Sequence, residues 1–551
     1  MALILYKISN MKRIIFLIVC AFASCSLMAQ SGANKDVIDL LNKRGEAKIC
    51  IDISKVKDIV QLGRTISIDP QKGSTWIGYV NKKQYTKFLA LGIEHTLYKE
   101  TKTKSLLMAN SLAQMSSWNR YPTYEVYDSM MRAFATNYPT ICKLDTIGFS
   151  TNNRLLLCLK ISSSPNTDQD KPKFFYTSSI HGDEITGIVM MLRFATQLLS
   201  GYNTDSRATN LINSIQIFIN PEANPDGTYH GGNSTVSDAT RYNSNYVDLN
   251  RNYPDPVAGA HSDGETYQSE TLAFMAYADS NGFDISANLH GGSEVFNYPY
   301  DCYTSNQKEH ADKAWFEQIG AAFFDSINSS APSSFFTDVV SNGVVDGGDW
   351  YTVAGGRQDW STYFKHSREV TIEISQDKEL SSTQLNNYWT YSQKPFVTYA
   401  ENALVGLQGY VKDSLSLAPI KAKVWIESHD AYNSEIYSKA TTGYYYRPIV
   451  GGTYNITYSA DGYTSKTIYN VNVTNNTMSE QNVFLAPVQQ GLPGIDNNSF
   501  KPLNYVVYNA IGTKMQEGKT LTQDFKSLIA PLTSGLYFIR IGDKTYKYVK
   551  Q

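Results

Sequence analysis

The segment from residue 173 to 199 constrains this chain most. Lys173-Phe-Phe-Tyr-Thr-Ser-Ser-Ile180 has the aromatic and apolar content of a strand, it stops at His181-Gly-Asp-Glu184, and 185–199 follows at once as an apolar helix. The same alternation continues on both sides. Residues 124–138 form a helical pattern with apolar residues on one face, and 215–220, 284–289 and 369–374 are strands. From about 119 to 404 the chain is therefore expected to be α/β, a mostly parallel or mixed sheet with helices on both faces. In such sheets the active residues collect at the carboxyl ends of the strands.

The flanks have a different texture. Residues 31–110 combine strands at 47–53 and 75–80 with a helix at 82–91, which predicts a small α+β unit, and the pattern breaks around 110–122 as a linker. Beyond 404 come short alternating runs at 407–412, 422–426, 443–447, 454–459 and 468–473, the signature of a small β-sandwich over 405–487. Gln489-Gln-Gly-Leu-Pro-Gly494 then links to a last short-stranded unit at 499–551, which includes 505–508 and 535–540 and ends in a basic stretch at 544–550.

At the start, Met11-Lys-Arg13, the apolar run 14–23 and Ala29 before Gln30 describe a secretory signal peptide over 1–29, with Met11 as the true start. That run is shorter than the ~20 residues a membrane span requires, and no later segment is expected to cross a membrane. A net charge of −2 leaves no basic field to draw the chain to nucleic acid. The 39 tyrosines and 36 glycines against 18% charged residues lean toward a β-rich extracellular protein. Cys50, Cys142, Cys158 and Cys302 are scattered and form no CxxC. Cys142 and Cys158 could pair across a hairpin, although buried free thiols are the simpler expectation.

The chemistry concentrates at His181-Gly-Asp-Glu184. A zinc site needs three compact donors and one open position for water. His181 and Glu184 on a strand-to-helix turn can reach one ion together, and a third donor must come from a neighbouring strand end. His290 fits, because it closes the 284–289 strand and is followed by Gly291-Gly292. No HExxH helix occurs, which excludes the thermolysin class. His95, His310, His366 and His429 are expected at the surface, and His230 and His261 lie in Gly-rich loops without an assigned role.

Several motifs recur in one order: His181-x-x-Glu184, Asn224-Pro-Asp-Gly227, Arg241, Val247-Asp-Leu-Asn-Arg-Asn-Tyr-Pro-Asp255, Leu289-His-Gly-Gly-Ser293, Asn297-Tyr-Pro-Tyr-Asp301, Tyr351-x-x-x-Gly-Gly-x-Gln358-Asp-Trp360 and Thr371-Ile-Glu373. Together, over about 120–405, they resemble the zinc metallocarboxypeptidases of the carboxypeptidase A/B superfamily, in the regulatory branch of carboxypeptidases D, E, M and N. The resemblance implies an α/β/α sandwich around an eight-stranded mixed sheet, and a single zinc ion held by His181, Glu184 and His290. It implies Glu373 as general base, Arg241 as oxyanion stabiliser, Asn250 and Arg251 as the grip on the substrate's terminal carboxylate, and Tyr351 as the tyrosine that closes over it. A carboxylate beside a polarised water suits proton transfer, and a planar guanidinium suits a carboxylate.

Specificity follows from the departing side chain's pocket. Where basic-specific pancreatic relatives hold an acid, this chain has neutral Gln358, but the regulatory branch places its acid after the third zinc ligand, where Asp301 stands. The resemblance thus implies release of C-terminal Lys and Arg from peptides. The 405–487 unit resembles the branch's transthyretin-like domain. The last unit resembles the sorting domain of Bacteroidetes-type bacteria, whose partner is the type IX secretion machinery, and 31–110 resembles inhibitory pro-segments. A secreted or cell-surface enzyme reached through the periplasm is expected. The alternatives are a cell-wall peptide carboxypeptidase or deacylase on the same scaffold, and an inactive peptide-binding module.

Overall fold

A computed structural model describes residues 34–70, 73–99, 105–488, 503–520, 531–542 and 544–550. The expected signal peptide and the 489–494 linker lie outside the described residues.

The frame of the site is a mixed eight-stranded sheet. Its strands are β1 (Cys142–Phe149), β2 (Leu155–Ile161), β3 (Lys173–Ser178), β4 (Gln216–Asn220), β5 (Ile285–His290), β6 (Ser293–Tyr298), β7 (Val344–Asp346) and β8 (Arg368–Ser375), in the order β7-β6-β8-β5-β3-β4-β2-β1. The centre, β8-β5-β3-β4, is parallel throughout. Antiparallel pairing begins at β6 on one side and β2 on the other. The four central strands are those legible in the sequence. The outer four were not among the strands expected from the sequence, although β2 carries a continuous apolar run.

Side chains alternate faces along a strand, and β3 shows the consequence. Phe174 and Tyr176 join the core beneath helices α1 (Tyr124–Asn137) and α2 (Thr186–Gly201), whereas Phe175 joins the opposite core with Phe274 and Trp360. The latter two come from α3 (Ser269–Asn281) and α4 (Arg357–Lys365). The same alternation settles the cysteines. Cys142 packs in the first core and Cys158 in the second, and their registers pair them with Ile161 and Asp145, so both stay free thiols.

Residues 110–122 are not a free linker. Met108–Ala109 pairs with Tyr121–Pro122, a short helix Leu112–Met115 lies between, and buried Tyr121 donates to Leu380 O at 2.6 Å. Before it, four strands in the 34–99 region form a sheet with its own apolar core. After the α/β part, two four-stranded sheets lie between residues 406 and 485. Tyr445 of one and Tyr458 of the other meet hydroxyl to hydroxyl at 2.8 Å.

Two histidines expected at the surface are buried. His95 sits beneath Tyr85 and Phe88, and His310 packs against Phe316. Polar sequence neighbours give no sign of this burial because the aromatic partners lie on other elements, Tyr85 and Phe88 on the helix before His95 and Phe316 on the helix after His310. His366 and His429 are half-buried, each bonded across to another element.

A separate unit is formed chiefly by the C-terminal residues. Its four antiparallel strands, Leu503–Asn509, Lys514–Thr520, Gly535–Ile541 and Lys544–Lys550, bury Val507, Ile539 and Tyr546 on one face. Among the described residues, no helix is long and apolar enough to cross a membrane.

Candidate metal and peptide site

Three parallel strands end at one edge, and that edge builds the site. The chain leaves β3 through a tight turn in which Glu184 N bonds His181 O at 3.1 Å. Only glycine fits at 182, since a Cβ there would lie 2.3 Å from the backbone of Gly227. His290 is the last residue of β5, and its register partner on β8 is Glu373. The third metal donor and the expected base therefore stand side by side because two strands run parallel.

His181 Nδ1 lies 2.8 Å from Glu184 Oε1, and His290 Nδ1 lies 2.9 Å from Glu184 Oε2. Three donor groups thus converge on one buried point. Their outer atoms are held as well: His181 Nε2 is 3.2 Å from Asp248 Oδ1, and His290 Nε2 is 2.8 Å from the Asn288 amide. Such outer partners orient imidazoles for metal binding. Burial brings His290 down to about 4, which keeps its ring neutral as a ligand must be. Burial also raises Glu184, but its close partners His181, Lys378 and His290 outweigh it and hold that carboxyl well below its usual range.

The other expected residues surround this point. Arg241 bonds Asp248 through Nε at 2.8 Å and keeps Nη1 3.6 Å from Glu184. Glu373 is pushed well above the usual carboxylate range by burial and then by the Glu184 charge. Its Oε2 has no hydrogen-bond partner, and neither has Arg251 Nε. Asn250, Arg251, Asp301 and Tyr351 line the same cavity. Asn297 Nδ2 and Gln358 Nε2 each donate to Asp301 Oδ1 at 3.0 Å. Gly347 makes room for this cluster, since a Cβ there would sit 1.9 Å from Asp301 Oδ1. Asp301 is 6% exposed, and among the described residues no cation is ion-paired with it. All ten expected residues are thus brought together.

The same residues can be compared with known proteins. The model of the zinc carboxypeptidase family matches residues 127–394. Mouse carboxypeptidase M is 30% identical over 361 residues, covering 63% of this chain and 79% of that protein. The chain belongs to the zinc carboxypeptidase family. Mouse carboxypeptidase D is 33% identical over 364 residues, of which this chain spans only 25% of the length. Among solved structures, carboxypeptidase A from Helicoverpa armigera superposes with a TM-score of 0.51 at 20% identity, covering 65% of this chain and 98% of that one, a likeness of fold.

The residues present fit this family's metal: two imidazoles and one carboxylate is the donor set of catalytic zinc, and the site keeps unpartnered polar atoms beside it. Sequence reasoning missed four further residues here. Asp248 lay inside a quoted motif, yet nothing local marks it as the bridge between Arg241 and His181. Lys378 donates to Glu184 Oε1 at 2.6 Å, and Trp350 lines the cavity. Asp69 reaches the same cavity from the 34–99 region, 3.0 Å from Lys378 Nζ and 3.9 Å from Arg241 Nη1. No local signal marks any of these three.

Proposed function

We propose that this chain is a secreted zinc metallocarboxypeptidase that removes single residues from peptide C-termini, with C-terminal Lys and Arg preferred. The observation that carries this reading is the convergence of His181, Glu184 and His290 beside Glu373, with Arg251 and Asp301 on the same cavity. When bound, zinc would supply Lewis acidity to the scissile carbonyl and the attacking water, and a charge that favours the Glu373 carboxylate. Glu373 then takes the proton from water and returns it to the leaving amine. Arg241 stabilises the developing oxyanion. Asn250 and Arg251 hold the terminal carboxylate, and Tyr351 closes over the substrate. A deacylase has no use for that grip. An inactive module would be expected to lose ligands or base, and all are present.

Asp301 is the specificity residue in this reading. A buried carboxylate with no ion-paired cation favours an incoming Lys or Arg, and an ion pair there is worth a preference of roughly a hundredfold. Peptides differing only in the C-terminal residue test it. Asp301→Ala should erode the Lys-over-Phe ratio and leave zinc content alone. Burial lifts Asp301 to about 6, so it is charged above that pH and neutral below. The ratio should therefore fall as pH drops from neutral through about 6. Equal release of Phe by the wild type would refute the assignment.

The 34–99 region bears on access. Besides Asp69, Glu46 Oε2 accepts from Arg241 N at 2.8 Å, and Ser67 Oγ donates to Asp248 Oδ2 at 2.5 Å. The cavity beneath is about 30 Å³, room for one or two waters and not for an amino-acid side chain. In our reading this region is a pro-segment that restrains the enzyme until displaced. Asp69→Asn should raise kcat/KM on peptides about tenfold in the full chain. Unchanged or lower activity would instead make it an accessory part of the site.

Export completes the proposal. The 1–29 segment supports secretion, the 405–487 region supports a transthyretin-like domain, and the 499–551 unit supports a sorting role for type IX machinery. A chain lacking 499–551 should accumulate, active, in the periplasm. Normal export of that chain would defeat the routing.

A further inference from the structure

Three successive backbone carbonyls of one loop, between the strands Lys423–Ile426 and Ile436–Tyr437, are each held by a different element of the α/β part. Tyr300 Oη donates to Tyr432 O at 3.2 Å, His366 Nδ1 lies 2.9 Å from Asn433 O, and Arg368 Nη2 donates to Ser434 O. Tyr432 and Asn433 have φ of 52° and 63°, the left-handed region that side chains other than glycine avoid. The loop accepts that conformation and thereby aims its carbonyls at these donors.

Each donor sits one short step from a residue of the site. Tyr300 immediately precedes Asp301. His366 closes α4, which carries Gln358, and Arg368 opens β8, which carries Glu373. The segment after Asp301 is held as well: Lys308 Nζ lies 4.1 Å from the Tyr303 ring and 4.2 Å from the Tyr432 ring, a cation between two aromatic faces. At the segment's far end, buried Asp312 accepts from Arg368, from Arg447 of the strand Tyr444–Arg447 and from His429 of the loop itself. These contacts bracket residues 300–312 on both sides.

We infer that the 428–434 loop is a specificity-setting element: through Tyr300 and Lys308 it positions Asp301 against Gln358 and so fixes the pocket for the departing side chain. Tyr300 and Lys308 are positioning residues, and neither touches the substrate. Asp301 lies on a connection beyond β6 whose backbone is tied to α4 and to the segment before it: Asp359 accepts from Asp301 N at 2.9 Å and from Cys302 N at 2.7 Å, and Val353 N donates to Asp301 O at 2.9 Å. The loop adds a second hold on the residues flanking Asp301, at Tyr300 and Lys308, and so limits how far the connection can shift while Asp359 and Gln358 grip Asp301 itself. The inference rests on the reading that Asp301 meets the departing residue.

The test uses the full zinc-loaded chain and two peptides identical except for C-terminal Lys or Phe. Tyr300→Phe removes one donor and keeps the ring, and Lys308→Met removes the cation and keeps the stem. In the double variant, KM for the Lys peptide should rise about tenfold with kcat nearly unchanged. KM for the Phe peptide and zinc content should hold, and Lys308→Arg should retain most of the selectivity. A Lys-to-Phe ratio within about twofold of wild type would overturn the inference, as would an equal loss on both peptides that tracks a lower melting temperature. Should the double variant fail to fold, Tyr300→Phe alone decides, with a smaller shift of the same sign. A wild type without Lys preference would sink the Asp301 reading instead. The inference would then stand or fall on whether these variants move whatever selectivity the wild type has.

Discussion

Glu373→Gln should cost roughly a thousandfold or more in kcat while zinc content, fold and substrate KM stay close to wild type. The side chain is 8% exposed at the end of a central strand, and Gln is nearly isosteric, so packing is preserved. What disappears is the carboxylate that, in the proposed mechanism, takes the proton from water. Glu373 Oε2 is unpartnered, so the substitution breaks no bond that the fold uses. Its partner in register is His290, and the variant must therefore be checked for zinc as well as turnover. Arg251→Ala makes the contrast, raising KM for peptides with a free C-terminus and lowering kcat less. Near-wild-type turnover by Glu373→Gln would remove this residue from the mechanism.

His290→Ala should lose both metal and activity. Three donors would hold the ion, and removing one should cost more than the roughly 10–100-fold that loss of an outer partner costs in affinity. The variant also strips Glu184 Oε2 of a partner at 2.9 Å, leaving a buried carboxylate oxygen less well satisfied. Metal analysis after dialysis reads the first effect and peptide hydrolysis the second. In the wild type, a chelator should abolish hydrolysis and added zinc should restore it. Full zinc stoichiometry in His290→Ala, or full activity in metal-free wild type, would rule out this ligand set.

Much of the site was legible before any coordinates. Glu373, Arg241, Asn250, Arg251, Tyr351 and Asp301 were legible only through the family resemblance, whereas strand ends followed by a turn carry their own signature, and His181, Glu184 and His290 lie at such ends. The central strands were legible for the same reason, because their apolar runs are continuous. The outer strands, the burial of His95 and His310, and the ordered 108–122 segment were not, since each depends on a partner from elsewhere in the chain.

By itself the sequence determined the turns at which His181, Glu184 and His290 sit, because periodicity and turn composition are local properties, and its ordered motifs carried the resemblance that pointed to the other site residues. The tertiary structure alone decided what stands opposite them. Parallel register set His290 beside Glu373. Docking of the 34–99 region brought Asp69 to Lys378 and Arg241, and packing of the small sheets brought Tyr432, Asn433 and Ser434 onto the elements that carry Asp301, Gln358 and Glu373. These pairs are separated by tens to hundreds of residues, and a charge or a carbonyl that meets its partner across such a distance leaves no pattern in the residues around it.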